Sequence, residues 1–157
     1  MKQEIRPEDF TRIMNVVQQA WDQAPFNRLL GLRIDYINPT EGRISFLTRP
    51  ELIGNFHQGI LHGGVISAVL DTTGGLMACT SALGRLKDLS LDEITQRMAR
   101  MGTIDMRVDY LRPGKGKEFY CIGLVMRTGR KVAVTRMELF NHENLLIAAG
   151  SAAYIVG

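Results

Sequence analysis

The chain has 157 residues, of which 45% are hydrophobic and 22% are charged, a balance typical of a globular protein with a packed core. Its formal net charge is +3, and its 19 basic residues form no long block of the kind that binds nucleic acid. The two cysteines, Cys79 and Cys121, are too few for a disulfide framework and do not form a paired-cysteine metal motif.

The terminal segments and the cysteines indicate where the protein resides. The N-terminal stretch MKQEIRPEDF is polar and charged, unlike a signal peptide. The C-terminal apolar tract LLIAAGSAAYIVG is too short to cross a bilayer. Both cysteines lie in apolar runs, where a buried free thiol is the ordinary state. We therefore expect a reduced, cytoplasmic protein with no nucleic-acid or membrane partner.

The first third of the chain predicts a helix followed by a hairpin. Apolar residues recur at helical spacing between Pro7 and Trp21, so residues 1–24 are expected to carry an N-terminal helix. From Leu32 to Phe46, apolar and polar residues alternate on both sides of the turn sequence NPTEG. That alternation predicts two antiparallel strands joined as a hairpin.

The middle of the chain predicts a buried helix. Residues from about His62 to Leu83 are apolar nearly all round, as in a helix enclosed by the rest of a fold. Gly74 and Gly75 lie inside it, and each costs roughly 1 kcal/mol relative to alanine. We expect another backbone to pack closely against the helix at these glycines.

A second, shorter helix is predicted within residues 84–102. Ser90 and Glu93 have the spacing of a capping box, and Gly102 is expected to end the helix. The predicted apolar stripe consists of Leu91, Ile94, Met98 and Met101. The basic residues of this segment are expected to form a solvated face.

The last third of the chain alternates again and predicts four strands. The first, Ile104 to Tyr110, is followed by RPGKGK, which is expected to be a hairpin turn because it lacks the spacing of a phosphate loop. Three further strands are predicted at about 119–127, 131–140 and 145–156, completing a four-strand meander. The elements together predict one α+β domain, residues 1–157, in which a mostly antiparallel sheet wraps one helix.

Candidate chemistry is concentrated in the stretch HGGVISAVLD, from His62 to Asp71. The N–H groups at a helix N-terminus are unpaired, and Gly63 and Gly64 leave them open to the carbonyl oxygen of a ligand. Asp71 lies two helical turns further on nearly the same side, where a carboxylate can act as a base or a nucleophile. Two structural alternatives remain. The glycines serve only tight packing, or hydroxyl groups such as those of the next two residues, both threonines, satisfy the carboxylate.

Other familiar catalytic motifs are not found in the sequence. The three histidines lack a metal-type spacing with carboxylates or thiols, so we expect no zinc site. No serine has the context of a nucleophile elbow, so we expect no Ser/His/Asp triad.

The same stretch resembles the active-site segment of a known family. The pattern N-x-x-x-G-x-x-H-G-G, with an aspartate nine residues after the histidine, is similar to that of hotdog-fold acyl-CoA thioesterases of the phenylacetyl-CoA thioesterase group. The likeness continues in PFNRLLGLRIDYI, TIDMRVDYLRPGKG and VMRTGRKVAVTRMEL, and covers the chain from about Pro25 to its end. The residues of the pattern are Asn55, Gly59, His62, Gly63, Gly64 and Asp71.

The resemblance implies a hydrolase that cleaves acyl-CoA thioesters. Asp71 would be the base or the nucleophile, the Gly63 N–H would polarise the thioester carbonyl, and Thr103 would help to place the attacking water. His62 and Asn55 would orient the site, with Asn55 one residue further from the histidine than in many relatives. The residues expected to bind the substrate, chiefly its CoA part, are Gly64, Tyr110, Arg130 and Lys131. No metal or redox cofactor is implied.

Substrate and function each leave alternatives open. Leucine, valine and methionine are abundant near the predicted central helix, which favours a medium- to long-chain acyl group. The segment 84–101 is longer than the usual connection in the family, and it either shapes substrate access or is a surface insertion. The rival functions on this fold are an enoyl-CoA hydratase or dehydratase, which uses a differently placed carboxylate, and a non-catalytic acyl-CoA sensor.

Helix geometry predicts an active site shared between two chains. Gly64 and Asp71 are about 10 Å apart along a helix that rises 1.5 Å per residue. A direct nucleophile must come within about 3.5 Å of the carbonyl carbon, which one helix cannot provide and a single intervening water only narrowly could. Two such helices packed antiparallel about a two-fold axis would bring Asp71 of one chain to Gly63 of the other. The resemblance implies the same assembly, a homodimer with shared active sites or a dimer of such dimers.

Overall fold

A computed structural model describes residues 6–157, so the first five residues of the predicted N-terminal segment lie outside the described residues. A six-stranded antiparallel sheet, in the order β1-β2-β6-β7-β8-β5, packs against one long helix, α3. A separate pair of short strands, β3 and β4, precedes that helix. The elements in chain order are α1 Pro7–Gln23, α2 Pro25–Leu30, β1 Arg33–Ile37, β2 Glu41–Leu47, β3 Ile53–Asn55, β4 Ile60–Leu61, α3 Gly63–Leu83, α4 Leu91–Met98, β5 Gly102–Tyr110, β6 Glu118–Thr128, β7 Val132–Asn141 and β8 Leu146–Ile155.

The central helix α3 is the core of the fold, as its sequence predicts. It packs against β2, β5, β6, β7 and β8, and side chains such as Leu70 and Met77 are fully buried between helix and sheet. It begins after His62, whose side chain caps it, and it ends at Leu83. By length and composition α3 is also apolar enough to cross a membrane, but most of its length is buried inside the protein, as in any core helix.

The N-terminal hairpin is confirmed. β1 and β2 are antiparallel neighbours, with Ile34 opposite Ile44. The side chain of Asn38 holds the turn by accepting hydrogen bonds from the backbone N–H groups of Thr40 and Glu41 at 3.0 and 2.9 Å. β2 in turn pairs with β6, which joins the hairpin to the rest of the sheet.

The predicted four-strand meander is wrong in one strand. β6, β7 and β8 are consecutive neighbours, but β5 pairs with β8 and lies at the edge of the sheet. The sequence RPGKGK is therefore not a hairpin turn but part of a connection that crosses from the sheet edge to β6. Gly114 anchors this connection by accepting a hydrogen bond from the Leu61 N–H at 2.9 Å. Alternation identifies a strand but not its neighbours, so the pattern could not place β5.

The two predicted helices outside the core are present, with corrections to the shorter one. α1 turns Ile13, Val17 and Trp21 inward. α4 carries the predicted capping box but ends at Met98, and Gly102 opens β5 instead of ending the helix. Leu91 is 57% exposed and so does not belong to the buried stripe of α4.

Two features of the fold were not predicted from the sequence. The helix α2 follows α1 directly, and β3 pairs with β4 where the sequence suggested only a loop. Both are too short to carry a periodic apolar pattern, because α2 has six residues and β4 has two. β3 and β4 nevertheless matter for the site, since they lead the chain into the start of α3.

Candidate active site

Asp71 lies half-buried on α3 and is held by side chains from two strands. The Thr103 hydroxyl, at the start of β5, donates a hydrogen bond to Oδ1 of Asp71 at 2.9 Å. The Tyr154 hydroxyl, near the end of β8, lies 3.2 Å from the same oxygen and 2.9 Å from the Asp71 backbone carbonyl. Within residues 6–157, Oδ2 of Asp71 has no hydrogen-bond partner. One carboxylate oxygen is therefore anchored and the other is available.

The hydroxyl groups next to Asp71 in the chain do not satisfy it. Thr73 donates its hydroxyl to the Val69 carbonyl at 2.7 Å, inside the helix. The bonds to the carboxylate come instead from residues 32 and 83 positions away in the chain. Hydroxyl groups therefore do bond the carboxylate, as the structural alternative expects, but they belong to Thr103 and Tyr154. Thr73 is not one of them, and no bond from Thr72 to Asp71 is found among the described residues.

Tyr154 is the residue of this cluster that sequence reasoning missed. Burial raises the pKa of Tyr154 well above its ordinary value, and the neighbouring Asp71 carboxylate raises it further. The phenol therefore stays protonated and donates to Asp71. The only signal in the sequence is a tyrosine within an otherwise small-residue strand, AAGSAAYIVG, and that signal does not identify its partner.

Gly74 makes room for Tyr154. A Cβ atom at Gly74 would collide with the Tyr154 hydroxyl, and it would lie 2.7 Å from both Met137 Sδ and Thr135 Oγ1. The prediction that another backbone packs closely here is wrong in detail, because side chains of β7 and β8 occupy the space. At Gly75 an added Cβ would lie 3.4 Å from the Tyr154 ring, which is close to ordinary contact.

Asp71 and Thr103 border a pocket of about 480 Å³. Its walls come from α1 and the start of α2, the Asp71 side of α3, the end of α4 with the residues after it, and the end of β8. A volume of this size is within the range of small-molecule sites, about 300–1,000 Å³. The residues that line it are mainly apolar: Val17, Ala20, Trp21, Ala24, Asn27, Asp71, Thr72, Gly75, Leu76, Ala78, Cys79, Met98, Met101, Gly102, Thr103, Tyr154 and Val156. The predicted carboxylate therefore borders an apolar cavity.

A second group of predicted residues meets at the start of α3. His62 Nδ1 accepts a hydrogen bond from the Gly64 N–H at 2.8 Å, so this N–H is not free for a ligand. The Gly63 N–H has no acceptor among the residues that the structure describes. Tyr110, at the end of β5, donates its hydroxyl to the Gly63 carbonyl at 3.0 Å. The helix start thus offers one free N–H, at Gly63, between His62 and Tyr110.

The presence of glycine has different explanations at Gly63 and Gly54, two positions around this helix start. A Cβ on Gly63 would lie 3.5 Å from the Tyr110 ring, so packing does not demand a glycine there. At Gly54, by contrast, a Cβ would lie 2.6 Å from the His62 Cα, and the neighbour is backbone that cannot yield. Packing therefore accounts for Gly54, a residue that the sequence did not single out, and leaves Gly63 available for another role.

Three predicted residues lie apart from both groups. Asn55 is exposed at the end of β3, and its side chain accepts a hydrogen bond from the Gln58 N–H at 3.3 Å, within its own turn. Arg130 and Lys131 are exposed in the turn between β6 and β7. Because Val132 and Gly102 both pair with Ile155, this turn lies about 10 Å from the start of β5, two strand spacings of about 4.8 Å.

Comparison with known proteins identifies the family of this chain. The family model of the thioesterase superfamily matches residues 58–148. The medium/long-chain acyl-CoA thioesterase YigI of Escherichia coli is 48% identical over 133 residues, which cover 85% of this chain and 86% of that protein. The chain belongs to the thioesterase superfamily.

Two solved structures have the same fold as this chain. A Shewanella oneidensis protein described as related to the thioesterase superfamily has a TM-score of 0.90 and 44% identity, with 97% of this chain and 99% of that chain covered. The PaaI protein of E. coli has a TM-score of 0.76 over 95% of this chain and 96% of its own, at 15% identity, and so shows the fold alone. The predicted α+β hotdog fold and thioesterase membership are therefore confirmed.

The match to the thioesterase family model covers only part of the candidate site. Residues 58–148 include Asp71, Thr103 and the Gly63 helix start, but they leave out α1, α2 and Tyr154. The wall of the pocket formed by α1 therefore lies outside the matched part of the chain.

Proposed function

We propose that this protein hydrolyses medium- to long-chain acyl-CoA thioesters, releasing a fatty acid and CoA. The observation that carries the proposal is a carboxylate, Asp71, with one free oxygen at the edge of an apolar pocket. Membership of the thioesterase superfamily and the name of the E. coli relative support it. The apolar walls favour an alkyl chain over a polar acyl group, because transfer of alkyl surface out of water stabilises binding.

In the proposed reaction, Asp71 acts on a thioester whose carbonyl oxygen accepts a hydrogen bond from the Gly63 N–H. As a general base, Asp71 removes a proton through Oδ2 while water attacks the carbonyl carbon. The C–S bond then breaks, and the CoA thiolate takes up the proton. As a nucleophile, Asp71 instead displaces the thiolate and forms a mixed anhydride, which water hydrolyses. Thr103 and Tyr154 fix the carboxylate through Oδ1 in either case.

Single turnover in ¹⁸O-labelled water tests the nucleophilic route. Label found in Asp71 establishes the anhydride, with water attacking its Asp71 carbonyl, whereas label in the fatty acid alone is the result of direct attack by water or of attack on the acyl carbonyl of the anhydride.

His62, Gly64, Asn55 and Tyr110 have supporting roles in the proposal. His62 is fixed as helix cap by its bond from the Gly64 N–H, and it stands beside the proposed carbonyl site. Tyr110 holds the first turn through the Gly63 carbonyl. Asn55 bonds neither His62 nor Gly63 among the described residues, and we assign it to the rim of the same site because its neighbour Gly54 packs against His62.

The CoA phosphates are assigned to the turn between β6 and β7. Arg130 and Lys131 are exposed there, and neither forms an ion pair within the described part of the chain. Arg85 reaches the same turn and donates to the Thr128 carbonyl, a residue that sequence reasoning did not name. Guanidinium and ammonium groups suit phosphate oxygens.

A homodimer with shared sites is part of the proposal, since the two halves of the site do not meet within one chain. Gly63 and Asp71 are separated by eight residues of α3, or about 12 Å of helix axis. The edge strand β5 carries both Thr103 and Tyr110, and its outer backbone groups are unpaired within residues 6–157. The strand also carries two exposed apolar side chains, Ile104 at 55% and Tyr110 at 54% exposure. An unpaired edge with apolar side chains favours pairing with a second chain.

Charge on β5 restricts the register of that pairing. An antiparallel pair centred on Arg107 would put arginine opposite arginine, and one centred on Asp105 would put aspartate opposite aspartate, which is unfavourable. Centring on Val108 or on Met106 pairs an aspartate with an arginine in either case. Centring on Met106, the register that we propose, puts Asp105 opposite Arg107 of the partner subunit. It also brings the Thr103 end of one strand alongside the Tyr110 end of the other, so that each carboxylate approaches a helix start. Two such dimers could associate further as a dimer of dimers.

The proposal also includes the cellular compartment of the protein and its division into domains. Buried free thiols at Cys79 and Cys121 suit a reducing, cytoplasmic compartment. We also treat residues 1–157 as one domain.

The test is release of free CoA by the purified chain from butyryl-, decanoyl- and palmitoyl-CoA, followed with a thiol reagent. The proposal expects release with decanoyl-CoA as a better substrate than butyryl-CoA. Hydration of crotonyl-CoA without thiol release would support the hydratase alternative. Saturable acyl-CoA binding with no turnover would support the sensor alternative. Either result would overturn the proposal.

A further inference from the structure

We propose that the outer face of the sheet, the face turned away from α3, pairs with the same face of a second copy of this chain. The inner face packs against α3, and its side chains, such as Met137, are fully buried. On the outer face, by contrast, Arg107, Arg136 and Ser151 are exposed. The inference depends neither on the proposed hydrolysis nor on the pairing of β5 edges.

The strand register arranges the residues of the outer face in two parallel rows. Each row crosses five neighbouring strands in the order β5, β8, β7, β6 and β2. The first row consists of Asp109, Ala149, Glu138, Ile122 and Arg43. The second row lies two residues away on every strand and consists of Arg107, Ser151, Arg136, Leu124 and Glu41.

The two rows carry opposite charges, strand by strand. On β5 and β7 the first row is acidic and the second row is basic, and on β2 the order is reversed. The two strands between them carry no charge in either row, because β8 presents small residues and β6 presents aliphatic ones. The second row is therefore the charge complement of the first.

A two-fold axis that runs between the rows and parallel to them makes this face complementary to itself. It places the first row of each copy over the second row of the other. Arg136 then faces the partner subunit's Glu138, while Ile122 faces the partner subunit's Leu124. The axis sets each strand against its own copy, so the strands stay nearly aligned, as in packed sheets.

The charge pattern excludes the other simple arrangement of two such faces. A two-fold axis along β8 would place each row over itself, with Arg107 opposite the partner subunit's Arg136. Like charges in direct opposition cost several kcal/mol across an interface. The axis between the rows avoids every such contact.

The shape and the existing ion pairs of the face also favour pairing. Ala149 and Ser151 leave a shallow trough along β8, which allows two sheets to approach to about 10 Å. Each arginine beside the trough already has an acid of its own chain, since Arg107 lies 3.0 Å from Asp109 and the pair on β7 is 2.9 Å apart. Pairing therefore does not enclose an isolated charge, which would be costly.

Exchange of charge on β7 tests the pairing by sedimentation of the purified chain. Arg136→Glu leaves two acids on this strand, and Glu138→Arg leaves two arginines, so either chain alone places like charges opposite each other. Each should associate at least tenfold more weakly than the wild type and sediment with half its mass. An equal mixture of the two should regain the wild-type mass. Because the pair within each chain stays broken, only contact between chains can restore it.

Two further variants separate the contact from any loss of folding. Ser151→Trp keeps all charges but fills the trough, and it should also halve the mass, whereas Ser151→Ala should not. Arg100→Glu, exposed after α4, is the charge control and should keep the wild-type mass. Circular dichroism checks that each chain is folded. Wild-type mass in either folded β7 variant alone, or no gain of mass in their mixture, would overturn the inference.

Discussion

At the scale of single residues, the carboxylate of Asp71 has a physical explanation. It is not an unpaired charge in an apolar helix, because Thr103 donates to one of its oxygens, and the Tyr154 hydroxyl shares its single proton between that oxygen and the Asp71 backbone carbonyl. The family pattern in the sequence predicts Asp71, Gly63 and Thr103 as site residues, and the structure brings Asp71 and Thr103 together. The sequence could not identify Tyr154, because the contact joins residues 83 positions apart and depends on space left by Gly74.

Asp71→Asn is expected to lower kcat by at least about a hundredfold while the protein stays folded. The amide oxygen can still accept from Thr103 and Tyr154, but the side chain can neither take a proton nor attack. Thiol release from decanoyl-CoA and the thermal midpoint measure the two effects. Asp92→Asn, on the exposed side of α4, is the control. Near wild-type turnover in Asp71→Asn would make Asp71 a structural residue.

Gly74→Ala and Gly75→Ala are expected to have opposite effects on stability. The methyl group at position 74 collides with the Tyr154 hydroxyl and crowds Met137 and Thr135, so it should destabilise the fold and lower kcat. At position 75 it makes nearly ordinary contact, and alanine should stabilise the helix by up to about 1 kcal/mol. Urea denaturation of both variants tests this, and equal stabilities would contradict the role given to Gly74.

Stability is expected to fall steeply in alkali because of two buried thiols. Burial raises the pKa of Cys79 and of Cys121 to about 12. Between about pH 9 and 12 the unfolded chain has therefore lost protons that the folded chain keeps, so the free energy of unfolding decreases as the pH rises. Each thiol contributes up to roughly 1 kcal/mol per pH unit in that range.

Urea titrations at pH 8, 10 and 11 measure this decrease. The double variant Cys79→Ala/Cys121→Ala should show a shallower decline than the wild type. If both proteins lose stability at the same rate, the thiols are not the cause. Tyr154, whose pKa is also raised, acts in the same direction above about pH 10.

At the scale of elements, apolar periodicity predicted the long helices and strands. It did not predict which strand lies beside β5, and it did not predict the short elements. α1, the first hairpin, α3 and the last three strands each carry enough apolar repeats to be recognised. The position of β5 beside β8 depends on the path of the 111–117 connection, which no local pattern encodes. α2 and the β3–β4 pair are shorter than the window in which a period can be read.

The capping box of α4 provides a test at this scale. The Ser90 hydroxyl accepts the Glu93 N–H at 3.2 Å, and the Glu93 carboxylate accepts the Ser90 N–H at 2.8 Å. Ser90→Ala removes the first bond and is expected to cost about 1 kcal/mol. Faster amide exchange in residues 91–98 should accompany the loss, while α3 stays protected. Unchanged exchange in α4 would mean that packing of Ile94 alone holds the helix.

At the scale of the whole molecule, the chain folds as a hotdog-fold member of the thioesterase superfamily, and it holds two separated halves of a proposed site. The family pattern predicted the fold, and the comparisons confirm it. The assembly stays a prediction, argued from the 12 Å helix separation and the unpaired edge of β5. The pocket wall could not be predicted, because it brings together α1, α3 and the end of α4 from distant parts of the chain.

Subunit mixing tests most directly the claim that a carboxylate from one chain acts on a carbonyl held by another. Asp71→Asn and Gly63→Val chains, each inactive alone, are dissociated, mixed in equal amounts and reassociated. A mixed dimer then has one site with both lesions and one site with neither, so roughly a quarter of wild-type activity should return. If mass spectrometry finds mixed dimers and no decanoyl-CoA hydrolysis returns, the site is not shared between chains.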